Sequence, residues 1–368
     1  MAKRGHKGRD RLTGKFLGQF REYLTREGLY VRDAGKIFNT SPSDFQDRMK
    51  EAYDAGYVVI KGKDASDKAS DLKDHWNDHP FDAKVVRVFV AEGCPDSDTF
   101  AYYAAEKLAL LLGEILAAKD TVTIGIVSGS STGETIRQFV ESRLWDELIG
   151  NTEIRAKKIN VIALNVTPVD GWELEGNANI AVLRLAMFLR ERGCKVMPYG
   201  LNAPLVVSAA QRQDADNMNR KVISLADPSR LKLTGQPQLD LVITGVGVPE
   251  NSVFQEVLEA EGIHAPKTMV GDVAFSPVDA EGGPLDLLRG SRRKTQVCLI
   301  YSAIRLGTLK QLVEPHLAKV MLIARNRRCV AGEAANTVVV TKTGAITAAI
   351  RGRYVNVLVT DGATADQL

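Results

Sequence analysis

Four short stretches of this chain combine glycine, hydroxyl or charged residues in spacings that can hold a small anionic ligand. The first, Ser128-Gly129-Ser130-Ser131-Thr132-Gly133, follows the apolar run Thr121–Val127 and opens a helical stretch at Glu134-Thr135-Ile136. Such a loop presents unpaired backbone N–H groups and the positive end of a helix dipole to a phosphate or carboxylate. Capping the helix needs only Ser131 or Thr132, and three hydroxyls between two glycines exceed that need, so anion binding is the reading taken. No Gly-Lys-Ser/Thr follows, which excludes a nucleoside-triphosphate P-loop. The second stretch, Gly245-Val246-Gly247, begins like a dinucleotide fingerprint but has Glu250 where the third glycine would stand. It supports only a tight turn that lets a ligand approach the backbone. In the third, Thr341-Lys342-Thr343-Gly344, the lysine is either a phosphate partner or a solvated strand-end charge. In the fourth, Thr360-Asp361-Gly362, the aspartate either caps a helix or takes a ligand hydroxyl.

Other chemistries find little support. Of the five histidines only His75 and His79 have metal-like spacing, and they lie in a polar stretch before Pro80, so no metal is expected. The four cysteines, Cys94, Cys194, Cys298 and Cys329, are 100, 104 and 31 residues apart, which fits neither a zinc site nor a disulfide framework. No Ser/His/Asp order, HExxH or paired-carboxylate motif appears, so neither an enzyme nor a cofactor is expected. The richest apolar stretch, Leu108–Ala118, is interrupted by Gly113 and Glu114, and the N-terminus has no apolar leader, so a cytoplasmic chain without a membrane partner is expected.

These stretches need elements to position them. With 368 residues, 45% hydrophobic and 25% charged, the chain can build about two domains with full cores. From residue 84 onward β-branched runs alternate with helical periods, which predicts an open, mainly parallel α/β sheet. Strands are expected at Val85–Val90, Thr121–Val127, Ile159–Asn165, Leu239–Gly245, Gln296–Tyr301, Val320–Ala324, Asn336–Thr341 and Tyr354–Thr360. Helices are expected near Thr99–Ala117, Thr132–Leu148, Asn177–Arg192, Ser208–Leu225, Thr308–Val313 and Ala345–Arg351, with a hairpin or lid over 269–285. All four stretches then fall at strand ends, where open α/β sheets bind ligands.

The N-terminal part reads differently. The net charge of +3 hides an arm, residues 1–21, with seven basic residues and one acid. Leu12, Phe16, Phe20 and Leu24 mark a first helix, 32–39 a second, and Pro42 to Ala55 a third after the turn Asn39-Thr40-Ser41. A strand over Tyr57–Lys63 completes the pattern of a winged helix-turn-helix, for which a small helical subdomain is the plainer alternative. Residues 64–84 read as a linker, although Ala65, Ala69, Leu72 and Trp76 keep a helical spacing.

The ending Ala345-Ile346-Thr347-Ala348-Ala349-Ile350-Arg351-Gly352, then Tyr354-Val355-Asn356-Val357-Leu358-Val359-Thr360-Asp361, resembles the C-terminus of bacterial SorC/DeoR-type transcriptional regulators. Gly125–Thr132, Leu239–Gly247, Val270-Gly271-Asp272 and Asp279–Pro284 fall in that family's order, and Ala34–Ile60 is similar to its helix-turn-helix. The resemblance implies a winged helix-turn-helix over 1–63, a linker over 64–84 and, over 85–368, an effector domain of the sugar-phosphate isomerase and CoA-transferase-like fold. It implies operator DNA and a small phosphorylated sugar as partners of a homodimer or homotetramer. Carried over by position, Ser128, Gly129, Ser130, Ser131 and Thr132 hold sugar and phosphate, Gly245 and Gly247 line the pocket, Lys342 neutralises the phosphate and Asp361 takes a hydroxyl.

For DNA, Ser41 in the turn, Ser43, Gln46 and Lys50 on the third helix, and Lys61 and Lys63 on the wing are the residues in place to make contacts. That helix also exposes Asp44, Asp47 and Asp54, so binding would lean on the arm and weaken steeply with salt. The sequence departs from the family at Ser128 and Ser131, where tryptophan and arginine are usual, at the valines before Lys342, and in an inserted loop at Asn326–Glu333. Two alternatives remain at this stage: a sugar-phosphate isomerase-like enzyme, and a ligand-sensing adaptor that has lost DNA binding.

Overall fold

A computed structural model describes residues 62–78, 83–94, 96–150, 158–165, 176–203, 206–208, 210–249, 265–285, 298–331 and 336–368. All of them belong to one compact unit, Gly62–Leu368. The expected helix-turn-helix, with Ser41, Ser43, Gln46, Lys50 and Lys61, lies outside the described residues.

An eight-stranded sheet carries the body in the order β1-β2-β15-β12-β7-β3-β4-β5. These are β1 (Lys63–Asp64), β2 (Arg87–Glu92), β3 (Thr121–Ile126), β4 (Lys158–Ala163), β5 (Lys195–Tyr199), β7 (Leu241–Thr244), β12 (Lys319–Ile323) and β15 (Val357–Asp361). Every neighbouring pair from β2 to β5 is parallel, and β1 alone is antiparallel, through Lys63 opposite Glu92 and Asp64 opposite Ala91. Strands covered on both faces must be apolar along their whole length. β3, β4, β7 and β12 accordingly bury nearly every residue.

The covering helices are α1 (Ser66–Asn77), α2 (Ser97–Ala118), α3 (Ser130–Glu141), α4 (Leu144–Leu148), α5 (Ala178–Glu191), α6 (Arg212–Met218), α7 (Arg220–Ala226), α8 (Leu306–Val313), α9 (Thr343–Arg351) and α10 (Gly362–Ala365). The stretch expected as one helix over Thr132–Leu148 breaks into α3 and α4, and the one over Ser208–Leu225 breaks at Asn219, whose side chain bonds outside the helix to Asn202. Phe139 of α3, Trp145 of α4 and Phe188 of α5 pack their rings with centroids 5.3–6.5 Å apart, the tryptophan edge to face with both phenylalanines, which fixes α3 beneath the loop that precedes it.

Several expectations are corrected. The segment 64–84 carries α1, whose Trp76 is buried while Ala65, Ala69 and Leu72 pack on the core, so their helical spacing serves the body. The strand expected at Gln296–Tyr301 runs as β11 (Cys298–Ile300) and pairs with β6 (Val206–Ser208) away from the main sheet. The one at Asn336–Thr341 runs as β14 (Asn336–Val340) and pairs with β13 (Arg327–Ala331), so the inserted segment is the first strand of a hairpin. β5 is a further strand, absent from the expected set, and it lies at the sheet edge, where its Pro198 is tolerated. The hairpin expected within 269–285 is present as β9 (Met269–Val273) and β10 (Ser276–Asp279), joined by a two-residue turn in which Ala274 and Phe275 both have positive φ.

Candidate functional site

The strand order reverses between β3 and β7. From β3 the chain moves outward through β4 to β5, whereas β7, β12, β15 and β2 lie on the other side. Open α/β sheets form their ligand crevice at the carboxyl ends of strands at such a switch point. The loop 127–129 leaves β3 there, Gly245 leaves β7 beside it, Arg325 and Asn326 follow β12, and Asp361 ends β15.

The first loop is held open by its neighbours. Ser128 N–H donates to Asn165 Oδ1 at 2.6 Å, Ser128 Oγ accepts from Ala178 N–H at 3.0 Å, and Gly129 N–H donates to the Gly176 carbonyl at 2.9 Å. Gly129 has φ +157°, a backbone setting that side chains disfavour. Below it Thr135 Oγ1 donates to the Ser131 carbonyl at 2.7 Å. Among the described residues, nothing accepts from the N–H groups of Ser130, Ser131 or Thr132. Two buried polar atoms also lack partners: Thr132 Oγ1 and Asn165 Nδ2, on residues 1% and 0% exposed. Buried donors without acceptors are costly, and their concentration at one helix N-terminus matches the needs of a bound oxyanion.

Lys342 reaches the loop after β7, its Nζ donating to the Val246 carbonyl at 2.9 Å. β8 (Val246–Gly247) pairs with β9, setting Gly247 opposite Asp272. Gly271 permits this approach, because a Cβ there would lie 2.5 Å from both the Gly247 carbonyl and the Ala345 Cβ. Asp272 is 4% exposed. Burial pushes its carboxyl up to about 6, against the Phe275 N–H and the Lys342 charge, which favour the ionised form.

Asp361 resolves toward capping: its Oδ1 accepts from Thr364 N–H at 2.9 Å and its Oδ2 lies 3.8 Å from Arg325 Nη1. Gly245 and Gly247 stand at the mouth of β7, and Lys63 lies at the far sheet edge in β1, exposed. Sequence reasoning missed Asn165, Asp272, Arg325 and Asn326. Asn326 joins separate elements: its Oδ1 accepts from Lys342 N–H at 2.6 Å, its N–H donates to Thr364 Oγ1 at 2.9 Å, and its Nδ2 donates to Gln367 Oε1 at 3.0 Å. The available signal was position, since Asn165, Arg325 and Asn326 all stand just past an apolar strand.

No family model matches the chain, and no curated protein does. Solved structures do. The full-length sorbitol operon regulator SorC from Klebsiella pneumoniae is similar over 96% of this chain and 97% of its own, at 16% identity and a TM-score of 0.53. The probable sor operon regulator from Shigella flexneri is similar over 82% and 98%, at 17% identity and a TM-score of 0.53. A putative sugar-binding domain of a transcriptional repressor from Vibrio fischeri is similar over 83% and 98%, at 14% identity and a TM-score of 0.54. The likeness is one of fold, and the body has the open, mainly parallel α/β sheet that the sequence predicts.

Proposed function

We propose that the chain is a transcriptional regulator whose switch-point crevice binds a small phosphorylated sugar and whose N-terminal segment binds operator DNA. The observation that carries this reading is the set of three free amides at Ser130, Ser131 and Thr132 beside two unpartnered buried donors. The phosphate sits on those amides, Lys342 neutralises it from the β7 side, and Asp272 accepts a sugar hydroxyl. The similar structures include sugar-operon regulators, which supports the same class.

A route from ligand to DNA follows from the contacts. Drawing Lys342 toward phosphate releases the Val246 carbonyl and pulls on Asn326, which holds α10 through Thr364 and Gln367. Beyond α10, Asp366 pairs with Lys68 of α1 at 2.8 Å, and α1 follows residues 1–61 in sequence. Effector binding then shifts the population of oligomer arrangements that space the DNA-binding heads across successive major-groove turns.

Thermal melts with a panel of phosphorylated sugars test the pocket. One or more should raise the melting temperature, and Lys342→Ala should weaken that ligand by about 10- to 100-fold, the effect of losing a charged hydrogen bond. Stabilisation by none of them overturns the ligand assignment. A mobility-shift assay on the upstream DNA, with and without the stabilising sugar, tests the regulator. Absence of binding at both low and physiological salt would leave a ligand-sensing adaptor. A buried carboxyl near 6 beside a lysine also suits proton transfer, so turnover of the same sugars would favour an isomerase-like enzyme.

A further inference from the structure

Near the crevice, on the β4 side, lies a group of three arginines that the phosphosugar reading does not use. Arg212 and Asp216 stand one turn apart on α6 and so share a helix face. Asp216 is already engaged: Arg230 forms an ion pair with it, and Tyr301 Oη donates to Oδ1 at 2.9 Å. The Arg230 side chain is only 3% exposed and also donates to the Ser302 carbonyl. Arg305 grips Asp227 with two hydrogen bonds, of 2.6 and 2.9 Å, and donates to Ser229 Oγ at 2.6 Å. Burial alone would raise the Asp227 carboxyl, but the bonds from Arg305 and Ser229 hold it below the usual range.

Both carboxylates are therefore committed to other arginines, and Asp216 acts on Arg212 only as a nearby charge, not as an ion-pair partner. Arg212 is half-buried, and it makes no ion pair or hydrogen bond among the described residues. Burial and the charges of Arg230 and Arg305 depress its pKa despite the opposing charge of Asp216, so the folded body holds this cation at a cost. Ser302 ties the group to the crevice, because it forms a β-bridge with Asn165, which accepts from Ser128 N–H. A guanidinium fork with no hydrogen-bond acceptor among the described residues, beside two other guanidiniums, is complementary to a bidentate oxyanion.

We propose that Arg212, flanked by Arg230 and Arg305, is a second anion site that binds a phosphate group, separate from the amides of the Ser128–Thr132 loop. The phosphate is either free inorganic phosphate or the second phosphate of a doubly phosphorylated ligand. Melting of the full chain against inorganic phosphate, at constant ionic strength, tests it in the wild type, Arg212→Gln, Arg212→Lys and Lys342→Ala. Phosphate should raise the melting temperature of the wild type and of Lys342→Ala. Arg212→Gln should lose most of that rise, keeping only what the loop amides give, while melting no lower than the wild type without phosphate, since it removes a like charge. Arg212→Lys, which keeps the charge and loses the fork, should need about tenfold more phosphate for the same rise. A rise in Arg212→Gln equal to the wild type, or no rise in the wild type, overturns the proposal. A sugar bisphosphate that loses at least about tenfold affinity in Arg212→Gln, while a monophosphate loses none, supports the second source. Equal affinities with the phosphate response lost support the first. Because Lys342→Ala reports on the crevice and Arg212→Gln on the arginines, either site can fail without the other.

Discussion

The loop at Ser128–Thr132 and the arginine group around Arg212 are two solutions to holding an anion, linked through Asn165 and Ser302. The loop uses neutral donors, namely amides fixed by Asn165, Gly176 and the start of α3. Empty, it stores little electrostatic energy, because dipoles rather than whole charges face one another. The arginine group uses whole charges and keeps Arg212 half-buried beside Arg230 and Arg305. Empty, it lowers stability, and it is organised only as far as Asp216 and Asp227 neutralise the other two guanidiniums. Backbone donors thus confer geometry at small cost, whereas charged side chains confer affinity at the expense of the unliganded fold.

The charged half should break most sharply. Asp216→Ala leaves the buried Arg230 charge unneutralised, with only the Ser302 carbonyl as acceptor among the described residues, and should cost about 3–5 kcal/mol in urea unfolding; a loss below about 1 kcal/mol would mean that the pair is dispensable. Asp272, between the two designs, should show in pH. Its folded pKa is raised from 3.8 to about 6, so the stability it gives is full below about 4 and lost as pH rises through 6. Asp272→Asn should remove that slope, worth up to about 3 kcal/mol, in unfolding measured from pH 4 to 7. The neutral half should respond least. Asn165→Ala leaves the Ser128 N–H unpaired and should cost about 1–3 kcal/mol, with weakened binding of any ligand on the loop. A larger loss than that of Asp216→Ala would reverse the comparison.

The neutral half was also the legible half. Ser128–Thr132 announces itself because a glycine and hydroxyl run between an apolar strand and a helix is a local pattern, and the structure sets it at the switch point. The parallel sheet was legible for the same reason, through β-branched runs at β3, β4, β7, β12 and β15. Asn165 and Asn326 were not, because they work through residues 37 and 16 positions away or more, and Asp272 was not, because the burial and the Lys342 charge that act on it come from residues far along the chain, relations that no window of sequence displays. Asp361 shows the limit from the other direction: its type and place allowed both a cap and a ligand contact, and only the bond to Thr364 N–H decides where the carboxylate is engaged. β11 and β14 have strand composition but pair outside the main sheet, since composition sets the strand and long-range packing sets its partner.

Helix α1 has a consequence for handling the body apart from the rest of the chain. β1 covers only the end of β2, at Ala91 and Glu92, and the remaining length is sheltered by α1. Ala65 N–H reaches the Val90 carbonyl at 2.9 Å, and the Asn77 side chain both donates to the Val85 carbonyl at 2.7 Å and accepts its N–H at 2.8 Å. Asn77 thus imitates one rung of a missing neighbour strand, while Trp76 plugs the apolar gap beneath it. A fragment beginning at residue 85, where composition alone draws the boundary, would bare this edge and the Trp76 slot together. Unpaired edges of that kind recruit other chains, so the shorter fragment would tend to precipitate while one beginning at Gly62 keeps its guard.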